Sequence, residues 1–113
     1  MAKAYHIDVR KQTVKPVTVN GIADMHRLIG GYLEIAHIWK NGDTLYVDEE
    51  GLNKEPEYFF WLLPERADQP LCSNGLLVGA EKEFADGSYT ILDPKGTLEQ
   101  LKAKVSFGFL KRK

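Results

Sequence analysis

Between Pro56 and Pro64 the chain carries Tyr58-Phe59-Phe60-Trp61-Leu62-Leu63, an uninterrupted apolar run that opens with four aromatic rings. Side chains of this size are costly to leave in water, so the run must enter a core or be covered by a partner. It falls far short of the ~18 apolar residues of a membrane-crossing helix. Pro56, Pro64 and Pro70 break the periodicity between Glu49 and Asn74, which favours a short helix across 57–63 flanked by loops. One small domain can bury only some of the rings. Core plus lid is one account of them; an apolar patch for a second subunit or another protein is the other.

The chain has 113 residues, enough for one hydrophobic core and hardly two, so residues 1–113 are expected to form a single domain. Fifteen Lys and Arg against sixteen Asp and Glu leave a formal charge of −1. No overall field draws such a chain to nucleic acid or to an anionic membrane, and neither is expected as a partner. The basic tip Lys111-Arg112-Lys113 reads as a solvated end or a weak phosphate contact. Cys72 is the one cysteine and cannot form an internal disulfide. No apolar signal segment follows Lys3, so a cytoplasmic protein is expected.

Period-2 alternation marks strands at 5–10 and 13–19, joined as a hairpin across Lys11-Gln12, with Pro16 confining the second strand to an edge. Ile22, Met25, Leu28 and Ile29 share one helical face, and Gly30-Gly31 ends that helix. Residues 32–39 suit a central strand covered on both sides, turning through Lys40-Asn41-Gly42-Asp43 into a partner strand at 44–48. Strands are expected at 76–80 and 89–92, joined around Asp86-Gly87, then a helix from Thr97 to Val105 with Thr97 as its N-cap. The apolar Phe107-Gly108-Phe109-Leu110 follows. The fold class expected is α+β: an antiparallel or mixed sheet of about five or six strands packed on two helices.

Few residues form a chemical constellation. His6, His26 and His37 lie on different elements and at no ligand spacing, and neither Cys72 nor any serine sits in a nucleophile motif, so no catalytic residue, metal ligand or cofactor is expected. Asp48-Glu49-Glu50-Gly51 is the densest carboxylate cluster, either a solvated turn or a polar site in which Glu49 or Glu50 accepts hydrogen bonds. Asn74-Gly75-Leu76-Leu77-Val78-Gly79 lacks the Lys-Ser/Thr of a phosphate loop and reads as a turn into a buried strand.

Gly30-Gly31-Tyr32-Leu33-Glu34-Ile35, Leu45-Tyr46-Val47-Asp48-Glu49-Glu50-Gly51 and Asn74-Gly75-Leu76-Leu77-Val78-Gly79 together resemble a family of short phage-, prophage- and plasmid-borne proteins known only as a domain of unknown function. The resemblance covers roughly residues 5 to 80. Ser73-Asn74-Gly75 departs from the family's Gly-Asn, and the loop from Asn53 to Pro70 is longer and more aromatic. It implies an accessory protein of a bacterial mobile element. The expected function is non-enzymatic binding, to a host protein or to a second copy, through Tyr58, Phe59, Phe60, Trp61, Glu49, Glu50 and Asn74. The alternative is a small-molecule binder that sequesters a nucleotide signal, for which Lys40, Lys54, Arg66 and Lys82 are the nearest cations.

Overall fold

The computed structural model describes residues 2–51 and 57–110. The alternation at the start of the chain becomes a hairpin, β1 (Ala2–Asp8) and β2 (Thr13–Val19), in unbroken antiparallel register from Ala2↔Val19 to Asp8↔Thr13. The helix α1 (Ile22–Ile29) closes on Gly30, whose φ of 85° lets its N–H reach back to the His26 carbonyl. Next come β3 (Leu33–Ile38), β4 (Thr44–Asp48), β5 (Tyr58–Leu62), β6 (Arg66–Leu71) and β7 (Gly75–Val78). The chain continues through β8 (Glu81–Glu83), β9 (Tyr89–Ile91), α2 (Leu98–Lys104) and β10 (Val105–Phe109). A capping box on Thr97 and Gln100 starts α2.

These strands form a five-stranded sheet in the order β2-β1-β7-β4-β3, a three-stranded sheet β10-β5-β6, and a two-stranded ribbon β8-β9, all paired antiparallel. The expected α+β arrangement on two helices is overturned: the fold is mostly β, 49% strand against 15% helix among the described residues. The main error lies at 57–63. Consecutive aromatic residues favour a pleated backbone that sends alternate rings to opposite faces, and the segment is a strand, not a helix. The stretches read as loops and as a terminal patch supply its partners β6 and β10.

Strand β3 also differs from its expectation. It is an edge strand rather than a central one, and a bulge between Ile35 and His37 shifts its alternation. Pro16 does lie on the other edge, in β2. Lys54, Pro56 and the basic tip at 111–113 fall outside the described residues.

Both faces of the five-stranded sheet are apolar. One face carries Tyr5, Ile7, Val9, Val14, Leu45, Val47 and Leu77 into a core shared with Phe60, Leu62 and Leu71 of the three-stranded sheet and Leu101 of α2. The other carries Ala4, Val19, Leu76 and Val78 beneath Met25 and Ile29 of α1. Asp43, only 3% exposed, locks the hairpin turn to the start of α2. Its carboxylate accepts the amides of Lys95 at 2.9 Å and Gly96 at 2.8 Å, and the Asn41 side-chain amide at 3.4 Å. Replacing Asp43 with Ala leaves the part-buried amides of Lys95 and Gly96 without their carboxylate acceptor and is expected to lower the unfolding free energy by about 1–3 kcal/mol in urea titration. A loss below about 0.5 kcal/mol would mean that those amides find other partners.

Candidate functional site

The helix α1 is too small for the face it covers. Eight residues make a cylinder about 12 Å long and 10 Å wide, whereas five strands span roughly 19 Å. Part of the sheet beside the helix is therefore left open, floored by Leu33 and Tyr46. The ribbon β8-β9 walls the far side, giving a groove of ≈ 630 Å³. Ile22 on the helix side and Tyr89 on the ribbon side stand on its rim, 66% and 65% exposed. By register Ile35 and Ile38 lie on the same face of β3 and are also exposed.

The groove's electrostatics are one-sided. Glu81 is the one charged residue among the described residues that line it; the other polar contributions come from Asn20, Tyr46, Tyr89, Thr90 and backbone. Burial, then the negative charge of Glu81, pushes the Tyr46 phenol above its usual range. Both groups line the groove, so its one carboxylate and a phenol share the same concavity.

The residues singled out in the sequence are distributed differently. Phe60 is fully buried in the core. Tyr58 is half-buried, with the Arg10 guanidinium 5.2 Å from its ring centre and Phe109 at 6.4 Å. Phe59 and Trp61 point to the opposite face of their sheet and meet edge to face at 5.0 Å. Phe59 lies against Gly108, where a Cβ would stand 2.5 Å from its ring, so glycine is needed for this approach. The run is thus core on one face and a two-ring aromatic surface on the other.

The polar candidates come together through Ser73. Its Oγ accepts the Asp48 amide at 3.0 Å and donates to the Asn74 carbonyl at 2.8 Å, joining the acidic turn to the turn before β7. Asn74 itself is occupied, its Oδ1 accepting the Val9 amide at 3.0 Å. Glu49 and Glu50 are exposed and held by their backbones, the first donating to the Tyr32 carbonyl and the second to Asp48 Oδ1. The small cavity there, ≈ 180 Å³, includes Cys72, whose thiol burial pushes up toward the protonated form. His6 and His26 hydrogen-bond backbone carbonyls of Leu28 and Gly31, and His37 packs edge to face on Trp39. Among the described residues no three His, Cys, Asp or Glu are grouped to hold a metal.

The sequence puts Ile22 and Met25 on the apolar face of a helix, but marks none of Ile22, Met25, Tyr46, Glu81 and Tyr89 as a site residue. Tyr46 offered a faint signal, a polar-tipped ring between Leu45 and Val47 in a strand with few charges.

A second cavity, ≈ 490 Å³, lies between α2 and the β3-β4 turn, lined in part by Trp39, Leu63, Pro64, Leu101 and Lys104. Beside it Glu65 Oε1 accepts from Trp39 Nε1 at 3.1 Å and from the Lys104 ammonium. Burial raises the Glu65 carboxyl, but the bonds from Lys104, its own backbone and Trp39 outweigh it, leaving the group below its ordinary 4.5. A depressed carboxylate contributes stability above its unfolded value and loses it as pH falls through the folded one. Glu65→Gln is expected to cost about 1–3 kcal/mol at pH 7, the gap narrowing on acidification below 4.5 in thermal melts. A gap independent of pH would contradict the ion pair.

A family model described as a domain of unknown function (DUF3846) matches residues 2–102. No curated protein and no solved structure matches the chain.

Proposed function

As the chain belongs to the DUF3846 family, whose description names no activity, its role has to be argued from its surfaces, and we propose a non-enzymatic module that binds another protein. The observation that carries this reading is the groove between α1 and the β8-β9 ribbon, with an apolar floor and two large apolar side chains exposed on its rim. Concave apolar surface with a few placed polar groups is the usual form of a recognition site. The occupant that fits is a segment of a partner protein presenting an apolar side chain and, next to it, a Lys or Arg for Glu81 and the Tyr46 hydroxyl. Phosphate recognition draws no support from this groove, since neither Lys nor Arg is among its described lining residues. The proposed setting is that of an accessory protein of a bacterial mobile element, which is carried by the sequence resemblance.

Selection of a displayed peptide library against the folded protein tests the reading. Enriched sequences are expected to pair an apolar residue with Lys or Arg, to lose binding to Tyr89→Ala, and to bind Glu81→Gln about 10-fold more weakly. Enriched peptides indifferent to both substitutions would place recognition elsewhere.

A further inference from the structure

Among the described residues the two larger sheets have four free edges, and three of them carry devices that block further strand pairing. Strand β2 carries Lys15 and Pro16, both exposed. Strand β3 is bulged, and Arg66 donates to its Ala36 carbonyl at 3.0 Å. Strand β6 holds Arg66, Asp68 and Pro70 and pairs irregularly with β5. In the ribbon, β8 is Glu81-Lys82-Glu83 and β9 is three residues long. Charge, proline, bulging and brevity are the ways proteins keep edges from pairing. Strand β10, Val105-Ser106-Phe107-Gly108-Phe109, has none of them: it is uncharged, proline-free, five residues long and in unbroken register with β5.

The hydrogen-bond parity of β10 defines what its open side offers. The Leu63 amide bonds to the Lys104 carbonyl at 2.7 Å, and the Leu110 amide to the Glu57 carbonyl at 2.8 Å. Residues 104 and 110 therefore turn their backbone groups toward β5. In an antiparallel ladder alternate residues share one side, so Ser106 and Gly108 do the same while Val105, Phe107 and Phe109 present theirs outward. Phe109 and Leu110 are also 59% and 58% exposed.

We propose that β10 pairs antiparallel with β10 of a second copy of this chain about a two-fold axis at Phe107, making one continuous six-stranded sheet from two three-stranded ones. The strand is self-complementary in three respects. Outward-facing Val105, Phe107 and Phe109 meet Phe109, Phe107 and Val105 of the second copy, so every outward amide and carbonyl finds a partner. The exposed Phe109 ring falls beside the smaller Val105 rather than against another ring. No charge lies on the strand to repel its copy, and the flanking Lys104 is neutralised by Glu65. A closed two-fold pairing uses up the edge in both copies and stops at the dimer.

Light scattering on the full chain eluting from a sizing column, across ~1–100 µM, tests this, since dilution shifts a monomer–dimer equilibrium by mass action. The wild-type chain is expected at twice its monomer mass at the upper end. Phe109→Pro removes an amide not used within the chain, and Phe109→Lys places a charge at an exposed position. Both are expected to elute as monomers with an unchanged circular dichroism spectrum. Amides of Val105, Phe107 and Phe109 in the wild-type chain should exchange with deuterium more slowly at high than at low concentration, a readout that needs no variant. A wild-type monomer throughout, or a dimer that persists in both variants, would overturn the proposal.

Discussion

Everything in this fold follows from a sheet that has to be dry on both sides. Strand β7 lies at the middle of the five-stranded sheet with all four residues buried, Gly75 and Leu77 toward one layer and Leu76 and Val78 toward the other. An exposed central strand of that composition would forfeit roughly 1.5–3 kcal/mol for each large side chain left in water. The chain therefore supplies a cover for each face. On one side the three-stranded sheet and α2 cover most of the face, leaving the ≈ 490 Å³ cavity beside α2, and the aromatic run sends Phe60 and Leu62 inward. On the other side a single eight-residue helix covers what it can reach. The groove is the remainder of that face, and the proposed binding role is a consequence of incomplete cover.

The same reasoning assigns different roles to the two aromatic surfaces. Phe59 and Trp61 pack edge to face on each other and against Gly108, so much of their apolar area is already satisfied inside the chain. Ile22 and Tyr89 have no such shelter and border a concavity. An exposed ring beside a cavity has more free energy to gain from a partner than one already packed on a neighbour.

Local structure was legible where local chemistry decides it. The strand at 13–19, the helix at 22–29, the Asn-Gly turn and the Thr97 cap all stand where periodicity, glycine and capping residues put them. What could not be read was pairing between distant segments. The aromatic run has no alternation of its own, and its identity as a strand depends on 66–71 and 105–109 lying alongside. Likewise β3 looked two-sided because Leu33, Ile35, Ala36 and Ile38 are all apolar; the bulge puts Ile35 and Ile38 together on the incompletely covered face. Carboxylates and Asn74 attracted notice as polar residues in turns, yet Asn74 is occupied with backbone; the groove residues were hidden because Ile22, Met25 and Tyr46 resemble ordinary core.

The most direct test of the central claim is methyl NMR of the folded chain while phenethylamine, an apolar ring bearing an amine, is titrated in. The account predicts that the methyl signals of Ile22, Met25, Leu33 and Ile91, which surround the open part of the sheet, shift together and saturate. Shifts confined to methyls elsewhere, such as Leu63 and Ala103 beside the second cavity, would show that the uncovered face is not where this protein binds.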